Sequence, residues 1–210
     1  MKRLFVFLLF FLAISCAPKS FKAKWLNEKA PENYAARFET SKGNFDVAIE
    51  RKLSPQAADR FYQLVKYGYF NDGLFYRVNP NFVAQFGSTN DALSKKWEAV
   101  GIPDEPVLQG NTRGALSFAR GGKESRTTSA FINLGENSRL DTLAYQGVTG
   151  FPSFGKITKG MKVLESLYSG YADSTMSSFQ LMRTDRSAFL NKFPQLDSIQ
   201  RVYLLDEWNE

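Results

Sequence analysis

The chain of 210 residues contains no histidine and a single cysteine, Cys16. With one cysteine no disulfide forms within the chain, and without imidazole no His-based zinc site can be built. A Ser-His-Asp or Cys-His nucleophile apparatus is excluded on the same ground. A dense basic run is also missing: 27 Lys and Arg stand against 21 Asp and Glu, a net charge of +6 spread along the sequence. A nucleic-acid partner, which needs Lys and Arg clustered on one element, is disfavoured. The apolar run from Leu4 to Ile14 falls short of the ~20 residues that a membrane-spanning helix requires. There is no internal repeat and no low-complexity tract.

Aromatic residues, by contrast, are plentiful. They make up 15% of the chain and include 19 Phe, so a core rich in phenylalanine is expected. The length suits one domain with short appendages. Monomer is the default oligomeric state.

Met1-Lys2-Arg3 and the apolar run to Ile14 read as a secretory signal peptide over residues 1–15. Ala13-Ile14-Ser15-Cys16 resembles the lipobox of bacterial lipoproteins, with Ala13 where Leu is usual. That resemblance implies that Cys16 is the lipid-bearing first residue of the mature chain. An ordinary leader stays open, because Ala-x-Ser also suits a general signal peptidase. Residues 16–34 carry Lys19, Lys22, Lys24 and Lys29 with no clean period. They read as a solvated, lipid-anchored tether holding the domain off the membrane. Docking of Trp25-Leu26 onto the domain is the alternative. The domain itself is expected over residues 35–210.

Phe45, Val47 and Ile49 alternate with Asp46, Ala48 and Glu50, and Ser41 to Asn44 supply a turn, so Ala36–Glu50 reads as a hairpin. Ser54-Pro55 opens a helix, with Ser54 as N-cap and Pro55 at the first helical position. The helix stops near Gly68. Phe75 to Gly87 reads as a second hairpin turning at Asn79-Pro80-Asn81. Period two places Arg77, Val83 and Gln85 on one face, a polar grip beside an apolar pocket. Ser88 to Arg113 is polar and irregular and reads for the most part as a surface excursion, with Glu105 available to an arginine nearby. Ala115–Ala119, Ala130–Leu134, Ser153–Ile157 and Val202–Leu205 read as strands, and Lys159–Tyr168 as a second helix. Gly170 to Ser187 reads as a loop or short helix. Six to eight strands in hairpins with two helices argue a mainly β fold, an antiparallel barrel with helical caps.

Four motifs carry a family resemblance. Phe75-Tyr76-Arg77 with Phe82, Gln85 and Gly87 resembles the Phe-His-Arg…Phe-x-x-Gln-x-Gly core of the cyclophilin-type peptidyl-prolyl isomerases. Gly114–Arg120, Thr128–Leu134, and Phe154-Gly155-Lys156-Ile157 with Gly160-Met161 are similar to the next three family motifs, in order. The resemblance covers about residues 35 to 205, and four motifs in register are a specific signal. It implies a closed antiparallel eight-stranded cyclophilin-like β-barrel capped by two α-helices, with no cofactor and no metal. It implies Arg77 and Gln85 as catalytic residues. It also implies that Phe82, Val83, Ala119, Arg120, Phe131, Leu140 and Phe151 bind substrate, a proline-containing polypeptide. The sequence departs from the pattern at Tyr76 for His, Val83 for Met, Ser129 for Gln and Ala130 for Phe. At the pocket rim Arg139 stands for Trp and Phe151 for His.

This chemistry suits a chain without imidazole. An amide resists rotation by ~18–20 kcal/mol, and bonds before proline interconvert in tens to hundreds of seconds. Rotation is accelerated by a fixed donor that favours the twisted amide, with no nucleophile, metal or titrating base. An arginine fork is suited to that task. The leading expectation is a bacterial envelope isomerase acting on exported or unfolded chains. It would be periplasm-facing, lipid-anchored through Cys16, and placed at the outer membrane because Ala17 carries no inner-membrane retention signal. A peptide-binding chaperone or scaffold with little turnover is the second class. An apolar-ligand carrier with a lipocalin-like barrel is the third, disfavoured by motif order and by the two helices.

Overall fold

The computed structural model describes residues 21–205; the leader read over 1–15 and the lipidation position Cys16 lie outside them. Alternating apolar residues fold the first stretch into a hairpin of β1 (Asn33–Thr40) and β2 (Gly43–Glu50), joined at Ser41-Lys42. Gly43 closes that turn at φ 117°, a backbone state open to glycine without a Cβ penalty. α1 (Pro55–Lys66) follows, then the second hairpin, β3 (Gly73–Val78) and β4 (Val83–Gly87). After α2 (Asp91–Glu98) come β5 (Ala115–Phe118), β6 (Ala130–Asn133) and the single turn α3 (Arg139–Thr142). A minimal hairpin of β7 (Ala144–Tyr145) and β8 (Val148–Thr149) precedes β9 (Ser153–Lys159). The chain ends with α4 (Met161–Glu165), α5 (Phe179–Thr184), α6 (Arg186–Lys192) and β10 (Ser198–Leu204).

Eight strands close an antiparallel barrel in the order β1-β10-β3-β4-β6-β5-β9-β2. The last strand in sequence inserts between β1 and β3 and seals it. Inward residues of every long strand meet in a phenylalanine core. Phe38, Phe45, Phe75, Phe86, Phe118 and Phe154 are each at most 1% exposed. Phe38 stacks on its cross-strand partner Phe45 with ring centroids 4.6 Å apart. α1 closes one end, burying Ala57, Ala58, Phe61, Leu64 and Val65. It finishes where expected, at Gly68 with φ 71°.

Several expectations need correction. Ser54 holds the N-cap position of α1 as expected, but its hydroxyl makes no capping bond and instead donates to Glu105 Oε2. Glu105 does the capping from 50 residues away, accepting the Gln56 amide at 2.8 Å and the Ala57 amide at 3.3 Å. Its partner arginine is Arg126, 3.1 Å away and fully buried. Second, Ser88–Arg113 is more than a surface excursion. It contains α2, capped by Asn90 and anchored by the buried Trp97. The second helix of the sequence reading shrinks to α4, and α5 and α6 form in and beyond the stretch read as loop or short helix. Third, from Phe21 onward the tether lies on the domain. Trp25 is 4% exposed and stacks on Tyr67 at 3.7 Å, Phe21 meets Trp97 edge-on, and Asp59 accepts the Ala30 amide. An indole offers too much apolar area to leave in water when a matching aromatic surface is within reach.

Candidate active site

The site is built on the outer face of β3, β4 and β6. Strict alternation along β3 would point Arg77 the same way as Phe75, into the core. A bulge prevents this: Phe75 pairs with Phe86 and Arg77 with Gln85, leaving Tyr76 as the extra residue. Tyr76 and Arg77 therefore both leave the barrel interior. Gln85 is in turn opposite Phe131 on β6, so Arg77, Gln85 and Phe131 form one row across three strands.

Beside this row is a pocket of about 220 Å³. Its floor is Val83, Phe131 and Leu140, all at most 5% exposed, with Phe82, Ala119 and Phe151 packed around them. The nine residues singled out from sequence, Arg77 and Gln85 with the seven substrate-binding candidates, all line this one pocket. Phe82 forms a wall with two cations at its ring: Arg77 Cζ is 5.4 Å and Arg139 Cζ 4.8 Å from the ring centroid. Arg139, read from the resemblance as standing for Trp, packs on Phe82 and is not among the residues that line the pocket. Phe151 meets Phe131 edge-on at 6.0 Å and carries the Arg120 guanidinium at 4.6 Å. Arg120 Nη2 donates to the Gly150 carbonyl at 2.6 Å, while its Nε and Nη1 are buried without a partner. Burial lowers this guanidinium from its usual range.

Arg77 is held at two atoms. Nη1 donates to Gln85 Oε1 at 3.2 Å, and Nε donates to Asp173 Oδ1 at 2.6 Å. Asp173 also accepts from Asn79 Nδ2 at 2.9 Å. The Asn79 and Arg77 bonds hold its carboxyl below the usual carboxylate range. The two bonds use two of the five N–H donors of Arg77, leaving others for a ligand at the pocket mouth.

Sequence reasoning missed several of these residues. Asp173 and Met176 come from the segment read as a polar loop, and no periodicity marks them. Asn111, 1% exposed, fixes the far wall. Its Nδ2 donates to the Phe151 carbonyl and to Asp141, and its Oδ1 accepts from Ser117 and Asn133. A buried amide of this kind has no signature in one sequence.

A larger cleft, about 560 Å³, lies between α1 and the docked N-terminal segment. Its two arginines are already engaged within the protein. Arg51 pairs with Asp59, and Arg60 donates to the carbonyls of Trp97, Thr127 and Val100. The smaller pocket, apolar with an arginine and a glutamine at its edge, is the better candidate for a ligand.

Comparison with known proteins places the chain in a family. The model of the family described as cyclophilin type peptidyl-prolyl cis-trans isomerase/CLD matches residues 35–185. A peptidyl-prolyl cis-trans isomerase of Acinetobacter baylyi is 32% identical over 144 residues, 68% of this chain and 76% of the relative. Peptidyl-prolyl cis-trans isomerase A of Dickeya dadantii is 34% identical over 131 residues, 61% of this chain and 67% of the relative. Among solved structures, a cyclophilin type peptidyl-prolyl cis-trans isomerase of Cryptosporidium parvum superposes with a TM-score of 0.59 at 17% identity. It covers 84% of this chain and 99% of its own, a likeness of fold. The family match includes every pocket residue, and the chain belongs to the cyclophilin-type peptidyl-prolyl cis-trans isomerases.

Proposed function

We propose that this isomerase works through Arg77, which stabilises the twisted prolyl amide of exported or unfolded polypeptides bound in the pocket. Val83, Phe131 and Leu140 take the proline ring. Three methylenes at ~0.8 kcal/mol each give roughly 2 kcal/mol toward binding. Gln85 holds Arg77 through Oε1 and offers Nε2 to a backbone carbonyl of the substrate. Ala119 and Arg120 border the groove along which the chain lies. As the bond rotates, the prolyl nitrogen loses conjugation and gains a lone pair. A guanidinium N–H already aimed at that position favours the twisted state without reorganising. The observation that carries this reading is the Arg77 guanidinium, fixed by two hydrogen bonds at the rim of a proline-sized apolar pocket.

The test is turnover of a short Xaa-Pro peptide. Arg77→Ala is expected to lower kcat/KM by about 10²-fold, the scale of losing one preorganised donor. Equal rates for variant and wild type would remove Arg77 from the mechanism. The proposal extends to location: residues 1–15 are a leader, and Cys16 is the lipid-bearing anchor of a monomer facing the periplasm from the outer membrane.

A further inference from the structure

One wall of the pocket comes from none of the motifs that define it. The 3-10 turn Ser174–Ser178 is fixed to the strand that carries Arg77. Thr175 Oγ1 donates to the Tyr76 carbonyl, and Phe179 packs edge-on against the Tyr76 ring at 5.3 Å. Beneath them Met182, Phe189 and Phe193 cover Leu74 and Tyr76 on the outer face of β3. From the head of this turn Asp173 takes the Nε hydrogen of Arg77, and Met176 reaches the pocket lining.

The geometry sets a problem that Asp173 solves. A guanidinium at the end of a flexible stem of three methylenes, held by the single bond to Gln85, is free to swing about that contact. A second bond at Nε removes the swing and leaves Nη donors directed at the pocket. Building on the role of Arg77 given above, we propose that Asp173 is a positioning residue for the reaction: it orients the Arg77 guanidinium for the prolyl nitrogen and does not itself touch substrate. The Asp173 side chain is 65% exposed, so the pair adds little to stability. What it supplies is orientation, on which transition-state donors depend steeply. The requirement is for an acceptor oxygen at the position of Oδ1. A neutral amide there accepts the same bonds from Arg77 and Asn79.

Steady-state kinetics on one Xaa-Pro peptide test this with Asp173→Ala, Asp173→Asn, Arg77→Ala and the double variant Arg77→Ala/Asp173→Ala. Asp173→Ala is expected to lower kcat about tenfold, with KM and the urea unfolding midpoint nearly unchanged. Asp173→Asn is expected to recover most of the loss. The double variant is expected to be no slower than Arg77→Ala, because the residue to be positioned is gone. The proposal is overturned by an Asp173→Ala enzyme at or above the wild-type kcat. It is also overturned by an Asp173→Asn enzyme as slow as Asp173→Ala, or by a further loss in the double variant. An inactive Arg77→Ala with a fully active Asp173→Ala removes the positioning role alone. Full activity of Arg77→Ala removes the underlying role of Arg77.

Discussion

Asp173 and Tyr76 bear on the pH behaviour of the site. The chain has no histidine, the side chain that ordinarily titrates between pH 5 and 8. The Asp173 carboxyl, bonded by Asn79 and Arg77, is lowered from its ordinary value. A depressed carboxylate exerts its effect above its unfolded pKa and loses it only as pH falls through the lower folded value. The Tyr76 hydroxyl is buried, and desolvation pushes it up to about 12, so it stays neutral at working pH. The expected kcat/KM profile is flat from about pH 5 to about pH 9. A bell centred near neutrality in a pH-rate series would show that a titrating base takes part.

Among the elements, α1 shows how tertiary partners replace local rules. Ser54-Pro55 marked the helix start correctly, but Glu105 supplies the cap while compensating the buried Arg126. Glu105→Ala removes both functions and leaves an unpaired buried guanidinium. The expected cost is about 3 kcal/mol or more in urea unfolding, with Glu105→Gln costing less. A loss below about 0.5 kcal/mol would show that Arg126 finds water instead. The second hairpin was legible because apolar alternation and an Asn-Pro-Asn turn survive in a single sequence. The bulge at Tyr76 was not legible, since nothing in Phe-Tyr-Arg says which residue is the extra one. α2 escaped notice for a related reason. Asp91–Glu98 is a polar helix with one large apolar anchor, Trp97, and the partners of that anchor lie at Phe21, Trp25 and Tyr69.

At the scale of the whole molecule, the pocket is assembled from segments nearly 100 residues apart, from Arg77 to Met176. The family resemblance located the nine lining residues that sit on or beside β3 to β6, within α3 and just before β9. Asp173 and Met176 stayed hidden because their segment reaches the site through tertiary contacts, packing on Leu74 and Tyr76 and hydrogen bonds to Tyr76, Arg77 and Asn79. The docked N-terminal segment also changes the geometry of the proposed anchor. With Phe21 packed on Trp97, only residues 17 to 20 separate Cys16 from the folded surface. Fully extended, that connection reaches at most about 18 Å, so a lipid on Cys16 would hold the domain close to the membrane. Cys16→Ser is expected to move the protein from the membrane to the soluble fraction of the cell envelope; unchanged membrane partition would rule out the acyl anchor.

Arg77 is proposed to act on the rotating bond and not on the resting peptide. Exchange NMR on an Xaa-Pro peptide tests it most directly, because peptide binding and cis/trans interconversion are read in one sample. Arg77→Ala is expected to bind the peptide within a few-fold of wild type while the catalysed exchange rate falls by about 10²-fold. Exchange at the wild-type rate, or binding lost in step with exchange, would contradict it.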